Sequence, residues 1–306
     1  MSDTINQPTF YVGKVDNINR GEHFKNVTIK LEDKKLINIK LDRVDESALV
    51  MGRIYQFEVA IEMKNDVDTF FQCVHYDAIE DILKPKAIDA LYDNFYEVAP
   101  KKISDIKKGI EGYIARIQHQ DLSAIVSHIY HTYQHAFYTH PAATKFHHAY
   151  VGGLSYHTLT MLEIAEKFFD IYPYLNQDLM IAGTLLHDMS KIGEMTGVDG
   201  EYTTEGLLIG HLVMQAIDID QTARALNVKD TEIVMLLKHM MLSHHGLPNF
   251  GAAKKPQIPE ALLLWYIDTI DSKFTVLGEE LENTKEGQWT NALNVLDKMK
   301  FYKSKQ

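Results

Sequence analysis

The apolar residues of this 306-residue chain follow two different periods, and the change falls near Leu83-Lys84-Pro85. Before it they alternate. Val27, Ile29 and Leu31 are separated by Thr28 and Lys30, and Ile37, Ile39 and Leu41 repeat the pattern after the turn-like Glu32-Asp33-Lys34. Tyr55, Phe57, Val59 and Ile61 form a third stripe, while the runs Thr9 to Val12 and Phe70 to Val74 add two more, the last following Lys64-Asn65-Asp66. A period of two puts every second side chain on one face of a strand, so five half-buried strands are expected. After the change the spacing is helical: Ile125, Ile129 and Tyr133 share a face. A helix is expected after Gly152-Gly153, carrying His157, Leu162 and Ala165. Asp178 reads as the N-cap of a run from Leu179 to His187. Further helices are expected over Thr204–Leu226, Lys229–Ser243 and Pro259–Leu281, with Pro248 and Pro256 bracketing a loop between the last two.

The expected fold class is therefore α+β and multidomain. Five short strands in about 80 residues suit a small β-barrel of the OB type, and a two-sheet sandwich fits the same pattern. An all-α part follows. The expected boundaries are 1–85 for the barrel, 86–140 for a helical connector and 141–306 for the helical domain.

Composition narrows the function. The only cysteine is Cys73, so a disulfide framework within the chain and a thiolate metal site are both excluded. The start, MSDTINQPTF, shows no basic stretch followed by an apolar run, and no apolar stretch is long enough to cross a bilayer. A reducing, cytoplasmic setting without membrane attachment is expected. A formal net charge of -11 argues against a protein that coats nucleic acid through a broad basic surface. The count of 15 histidines, many of them between His119 and His245, directs attention to metals.

Five places in the helical part draw that chemistry together: His157 in SYHTL, His187-Asp188 in LLHDMSKIG, His211 in IGHLV, His244-His245 in LSHHG, and Asp268 in YIDTIDSK. Imidazole nitrogens and carboxylate oxygens suit borderline divalent ions, and a carboxylate can bridge two of them. A lone histidine on a helix is more often packed or solvated than a ligand. His119, His128, His131, His135 and His140 are left under that bland reading, because none has an acidic neighbour placed like Asp188. His147, His148 and His239 are undecided at this level. A His-Asp pair alone is weak, whereas five such places in this order are hard to reach by chance.

That order, H…HD…H…HH…D, resembles the HD superfamily of metal-dependent phosphohydrolases, and its longer form the two-metal members. More narrowly it is similar to the YhaM family of bacterial 3'–5' exoribonucleases. The segments that carry the match are HHAYVGGLSYHTL (147–159), AGTLLHDMSKIGEM (182–195), IGHLVM (209–214), LLKHMMLSHHG (236–246) and PEALLLWYIDTIDSKF (259–274). The family also has an OB-like domain before its HD domain. The resemblance implies that His157, His187, Asp188 and Asp268 hold one metal, and that Asp188 bridges to another completed by His211, His244 and His245. Asp271 lies one helical turn from Asp268 and is the alternative ligand; the resemblance favours Asp268, with Asp271 behind it orienting an imidazole. Lys191 would contact phosphate and, with Asp188, form the catalytic pair. Glu194 and Glu205 are further candidates for orienting ligand imidazoles. The implied cofactors are two divalent ions, manganese foremost, with iron, cobalt, nickel or zinc as alternatives.

The implied reaction is metal-dependent 3'–5' exonucleolytic hydrolysis of single-stranded RNA, and by extension DNA, to nucleoside monophosphates. Barrels of the OB type hold single strands by stacking bases on aromatic rings. Among Phe10, Tyr11, Phe24, Tyr55, Phe57, Phe70 and Phe71, the alternating Tyr55 and Phe57 read as core. Phe24 and Lys25, beside Gly21 in a turn, are the candidate contacts. Exposed helix faces would permit a homo-oligomer. The competing enzyme is an HD phosphohydrolase of small nucleotides, either a nucleotidase or a cyclic-nucleotide phosphodiesterase; no GYP triplet follows the HD segment to favour a cyclic dinucleotide. A third reading is a strand-binding protein with a silent HD fold.

Overall fold

The computed structural model describes residues 9–21, 24–64, 68–143, 148–198 and 200–305. The chain divides into two compact units. One covers residues up to Val98 together with Thr196–Glu201; the other comprises Ala99–Met195 and everything from Tyr202 onward.

The first unit is a closed barrel with the strand order β1-β2-β3-β5-β4, which excludes the sandwich. The strands are β1 (Thr9–Arg20), β2 (Lys25–Lys30), β3 (Leu36–Lys40), β4 (Ile54–Lys64) and β5 (Asp68–Ala78). Each of the five expected runs corresponds to one of them, with Leu31 and Leu41 one residue beyond the ends of β2 and β3. All pairings are antiparallel except β3 with β5, where Ile39 faces Phe71 and Lys40 faces Gln72. Register shifts between Val15 and Asn17 against β2, and between Glu58 and Val59 against β5, put an extra residue in β1 and in β5 and bend both so that the sheet can close on itself. The alternating residues fill the interior: Val15, Val27, Ile29, Ile39, Tyr55, Phe57, Val59 and Cys73 are all buried. Tyr55 and Phe57 are therefore core, as the alternation requires. Two short helices follow, α1 (Ile79–Ile82) and α2 (Pro85–Phe95). Of the expected turn Lys64-Asn65-Asp66, Asn65 and Asp66 lie outside the described residues.

The second unit is helical: α3 (Ile103–Ile114), α4 (Gln120–Phe137), α5 (Gly153–Phe169), α6 (Gln177–Leu186), α7 (Lys191–Glu194), α8 (Thr204–Leu208), α9 (His211–Ala225), α10 (Thr231–Ser243) and α11 (Pro259–Asn283). Helices α3 and α4, from the stretch read as a connector, bury Ile106, Ile110, Leu122, Ile125, Ile129 and Phe137 in this unit's core. Helix α6 is the central rod. Every residue from Leu179 to Leu186 is buried, as suits a helix that is apolar all round. It packs against α3, α4, α5, α10 and α11. Whatever follows its last turn is thus anchored to a helix packed on all sides.

Two sequence expectations need correction. The N-cap of α6 is Asn176, whose side chain accepts from the Leu179 N–H at 3.0 Å. Asp178 faces away and accepts from the backbone N–H groups of Gln118 and His119 at 3.0 and 2.7 Å. The single helix expected over Thr204–Leu226 is two helices. Gly210, at φ 77°, breaks it between α8 and α9, so His211 becomes the first residue of a helix with a backbone N–H free to bond elsewhere.

Candidate metal centre

The five histidines and two aspartates converge inside the helical unit. His187 caps the C-terminus of α6 and Asp188 follows it. His157 projects from the second turn of α5, His211 starts α9, His244 and His245 follow α10, and Asp268 sits in the middle of α11. His157, His187, Asp188 and His244 are 3% exposed or less, so the cluster is internal.

Asp188 divides it in two. Its Oδ2 faces His187 Nε2 at 3.4 Å and His157 Nε2 at 3.8 Å; its Oδ1 faces His211 Nε2 at 3.3 Å and His244 Nε2 at 3.6 Å. On the Oδ2 side, ligand atoms of His157, His187 and Asp268 lie within 4.8 Å of one another, and on the Oδ1 side those of His211, His244 and His245 do the same. His157 Nε2 is 3.4 Å from Asp268 Oδ1. One carboxylate thus serves two three-residue groups, one oxygen to each.

The outer nitrogens show what the inner ones are for. Each Nδ1 meets an oxygen: Asp271 Oδ2 for His157 at 2.6 Å, Thr184 O for His187 at 2.8 Å, Glu194 Oε1 for His211 at 2.9 Å, Met241 O for His244 at 2.8 Å, and Phe250 O for His245 at 2.8 Å. An oxygen of a carbonyl or carboxylate only accepts, so each Nδ1 carries a proton and donates it. In the neutral tautomers all five Nε2 lone pairs then face the centre, the arrangement by which proteins present imidazoles to metals. Asp188 Oδ1, His211 Nε2 and His244 Nε2 are buried with no hydrogen-bond partner among the described residues. Acceptors crowded together without a donor are costly unless a cation lies between them. The donor set of imidazole and carboxylate fits divalent metal ions.

Charge within the protein points the same way. Burial works against a charge on Asp188, but Lys191, His187 and His211 outweigh it and hold the carboxyl well below the usual range. The Lys191 ammonium is 2.7 Å from Asp188 Oδ2 and also donates to the Ala142 carbonyl at 2.8 Å. Burial pushes His244 down to about 3, which keeps its imidazole neutral. Burial likewise opposes a charge on His157, yet hydrogen bonds to Asp268 and Asp271 prevail and push it up to about 10. A positive charge is therefore favoured beside Asp268 and Asp271, and a divalent ion beside Nε2 would supply it.

Of the acids expected to orient imidazoles, two are hydrogen-bonded to one. Asp271 accepts from His157 Nδ1, the nitrogen on the far side of the ring from Asp188 and Asp268. Glu194 accepts from both the backbone N–H of His211 at 3.0 Å and its Nδ1. The break at Gly210 makes the first of these bonds available. Glu205 is exposed on α8. Of the undecided histidines, His239 accepts from the Gln257 backbone N–H at 3.0 Å, outside the centre, and His147 lies outside the described residues. His148 reaches Asp271 at 2.8 Å, a contact with no helical spacing or charge pattern to announce it. His128, His131 and His135 are exposed on α4, and His119 caps that helix. On the barrel, Phe24 is 57% exposed, and Lys25 beside it is paired with Glu46 at 2.8 Å.

Residues 154–273, which lie in the helical unit and carry the His/Asp cluster, match the model of the HD domain. The 3'-5' exoribonuclease YhaM of Geobacillus sp. (strain WCH70) is 40% identical over 211 residues, covering 69% of this chain and 65% of that protein. The 3'-5' exoribonuclease YhaM of Bacillus licheniformis is 39% identical over 212 residues, covering 69% of this chain and 67% of its own length. The chain belongs to the YhaM family of 3'-5' exoribonucleases; its match spans about two thirds of each of these relatives. Among solved structures, a replication protein A heterotrimer bound to ssDNA matches 28% of this chain at 9% identity and a TM-score of 0.22, too weak a likeness to support a functional statement.

Proposed function

We propose that this chain is a metal-dependent 3'–5' exonuclease that hydrolyses single-stranded RNA to nucleoside monophosphates. The observation that carries the reading is Asp188, whose two oxygens face two separate groups of ligand atoms. His157, His187, Asp188 and Asp268 would hold one divalent ion, and Asp188, His211, His244 and His245 the other, with manganese as the favoured metal. The chemistry supplied by such ions is activation of water and neutralisation of charge on the phosphoryl oxygens.

The chain's own residues do the rest. Neutral imidazoles leave the centre positive enough to attract a phosphodiester, which an all-carboxylate cage would repel. Asp188 orients the attacking water. Lys191, a half-buried cation 2.7 Å from Asp188, is the group to meet a phosphoryl oxygen. Asp271 and Glu194 keep His157 and His211 turned inward. Burial of the centre excludes bulk water and strengthens each of these interactions. The barrel would hold the strand, with Phe24 and Lys25 among its contacts. A net charge of -11 implies modest affinity that falls as salt rises. No helix among the described residues is long and apolar enough to cross a membrane. The cytoplasm, where RNA is turned over, is the compartment this reading assigns, and self-association of the helical unit is part of it.

The test is direct. Purified protein is incubated with Mn2+ and a single-stranded RNA labelled at its 5' end. The expected result is a ladder that shortens from the 3' end and is absent with Asp188→Ala. Intact RNA beside hydrolysed small nucleotides would overturn the reading in favour of a nucleotidase. Tight RNA binding without hydrolysis of any substrate would point to a strand-binding protein.

A further inference from the structure

His148 has the marks of a residue held in place at a cost. It is 1% exposed and sits at φ 56°, in the left-handed region that side chains other than glycine seldom occupy. The surrounding backbone is shaped to keep it there. Its carbonyl accepts from the Ala142 N–H at 3.0 Å, and a Cβ on Gly153 would lie 2.0 Å from that same carbonyl oxygen. Only glycine fits where α5 begins so close to His148. Strain of this kind persists where its surroundings over-determine it, and it gathers at functional sites.

The ring explains the placement. Its Nε2 is 2.8 Å from Asp271 Oδ2, the same oxygen that accepts from His157 Nδ1 at 2.6 Å. Its Nδ1 is 2.6 Å from the Tyr150 hydroxyl, and Thr275 Oγ1 lies 3.3 Å from Nε2. In a neutral ring one arrangement satisfies both ends: Tyr150 O–H donates to Nδ1, and Nε2–H donates to Asp271. A carboxylate on a short side chain can turn about its last torsion. Two donors converging on one oxygen from different elements stop it. Ligand atoms of His148, His157 and Asp271 also lie close enough to suggest a third metal group. The contacts of 2.6 and 2.8 Å onto Asp271 Oδ2 are instead those of direct hydrogen bonds, which close the space between rings and carboxylate.

We propose that His148 is a positioning residue for the metal held by His157, His187 and Asp268. By fixing Asp271, it fixes the tautomer and direction of His157, while Tyr150 fixes His148 in turn. The proposal rests on the reading of those three residues as metal ligands. Partners of this kind affect metal affinity by about 10–100-fold when removed.

The experiment is a titration with Mn2+ alone, followed by the electron paramagnetic resonance of the free ion, on the full chain and its variants. His148→Asn keeps a residue that tolerates positive φ, but its amide is too short to reach Asp271. It is expected to weaken one of the two Mn2+ sites by about 10–100-fold and leave the other unchanged. His148→Gln restores an amide nitrogen near the place of Nε2 and is expected to recover most of that loss. Asp271→Asn combined with His148→Asn should weaken the site no further than Asp271→Asn alone, since both act through one path. If His148→Asn fails to fold by circular dichroism, Tyr150→Phe serves instead, with a several-fold loss expected at the same site. Wild-type affinity at both sites in His148→Asn or, where that variant does not fold, in Tyr150→Phe overturns the proposal. So does a His148→Gln as weak as His148→Asn, which would reduce the residue to a packing role. A wild-type chain that takes up no Mn2+ overturns the metal reading as well, so the two failures are distinct.

Discussion

Replacing Lys191 with methionine tests whether this lysine stands in for metal charge. Its ammonium lies 2.7 Å from Asp188 Oδ2 and 2.8 Å from the Ala142 carbonyl, with side-chain exposures of 16% for Lys191 and 4% for Asp188. Methionine preserves most of the stem's packing and removes the charge. Deleting one partner of a buried ion pair costs about 3–5 kcal/mol, because the other charge remains buried without compensation. A unit of this size shifts its Tm by about 2–4 °C per kcal/mol, so a fall of about 6–20 °C is expected for the metal-free protein. Both tryptophans, Trp265 and Trp289, belong to the helical unit, so their fluorescence follows that unit alone. Saturating Mn2+ should narrow the gap, since bound ions compensate Asp188 in both proteins. Lys191→Met combined with Asp188→Asn should recover much of the metal-free loss, having removed both charges. A metal-free Tm within about 2 °C of wild type, or a gap that Mn2+ leaves untouched, would refute the reasoning.

Three other perturbations probe separate parts of the chain. A methyl group on Gly206 would lie 2.3 Å from the Glu194 carbonyl oxygen and 2.9 Å from its Cγ. Gly206→Ala should therefore displace the acid that holds His211 and weaken one Mn2+ site by about 10–100-fold in the same titration; unchanged affinity would show that Glu194 can yield without harm. Tyr55→Phe removes a hydroxyl that donates to the Ala48 carbonyl at 2.9 Å and accepts from the Val50 N–H at 3.1 Å. It should lower the barrel's stability in urea by about 1 kcal/mol with an unchanged slope, and a neutral result would mean water replaces both bonds. Hydrogen bonds from Lys238 and Arg224 hold Asp220 down to about 2. A folded-state value below the unfolded one stabilises at pH above about 4, and the benefit disappears as pH falls through about 2. The Tm difference between wild type and Asp220→Asn should shrink over that range; one that grows on acidification contradicts the assignment.

Local chemistry made much of this protein readable. Val27, Ile29, Ile39, Tyr55 and Phe57 alternate because a barrel wall has an inside and an outside, and all five are buried. Ile125 and Ile129 recur at helical spacing because one face of α4 enters the core. The side chains that converge were legible too, since His157, His187, Asp188, His211, His244, His245 and Asp268 each stand in a short recognisable segment. Misreadings arose where short-range signals competed. Asp178 and Asn176 are both good caps, and the choice went to Asn176 because Asp178 found donors at Gln118 and His119, about 60 positions away. The helical pattern from Thr204 to Leu226 runs through Gly210 without visible interruption, and the bond from His211 N–H to Glu194 needs the break.

Period and residue type, which are properties of neighbours along the chain, determined by themselves that a small β unit precedes helices and that imidazoles and carboxylates recur among those helices. Only the tertiary structure decided that Asp188 turns one oxygen to each half of the centre, that five Nδ1 atoms are claimed by oxygens so that five Nε2 atoms face inward, and that His148 holds Asp271. The reason is geometric. Hydrogen bonds join atoms about 3 Å apart in space, and His148 and Asp271 are separated by 123 positions in the chain, across which no pattern of nearest neighbours carries information.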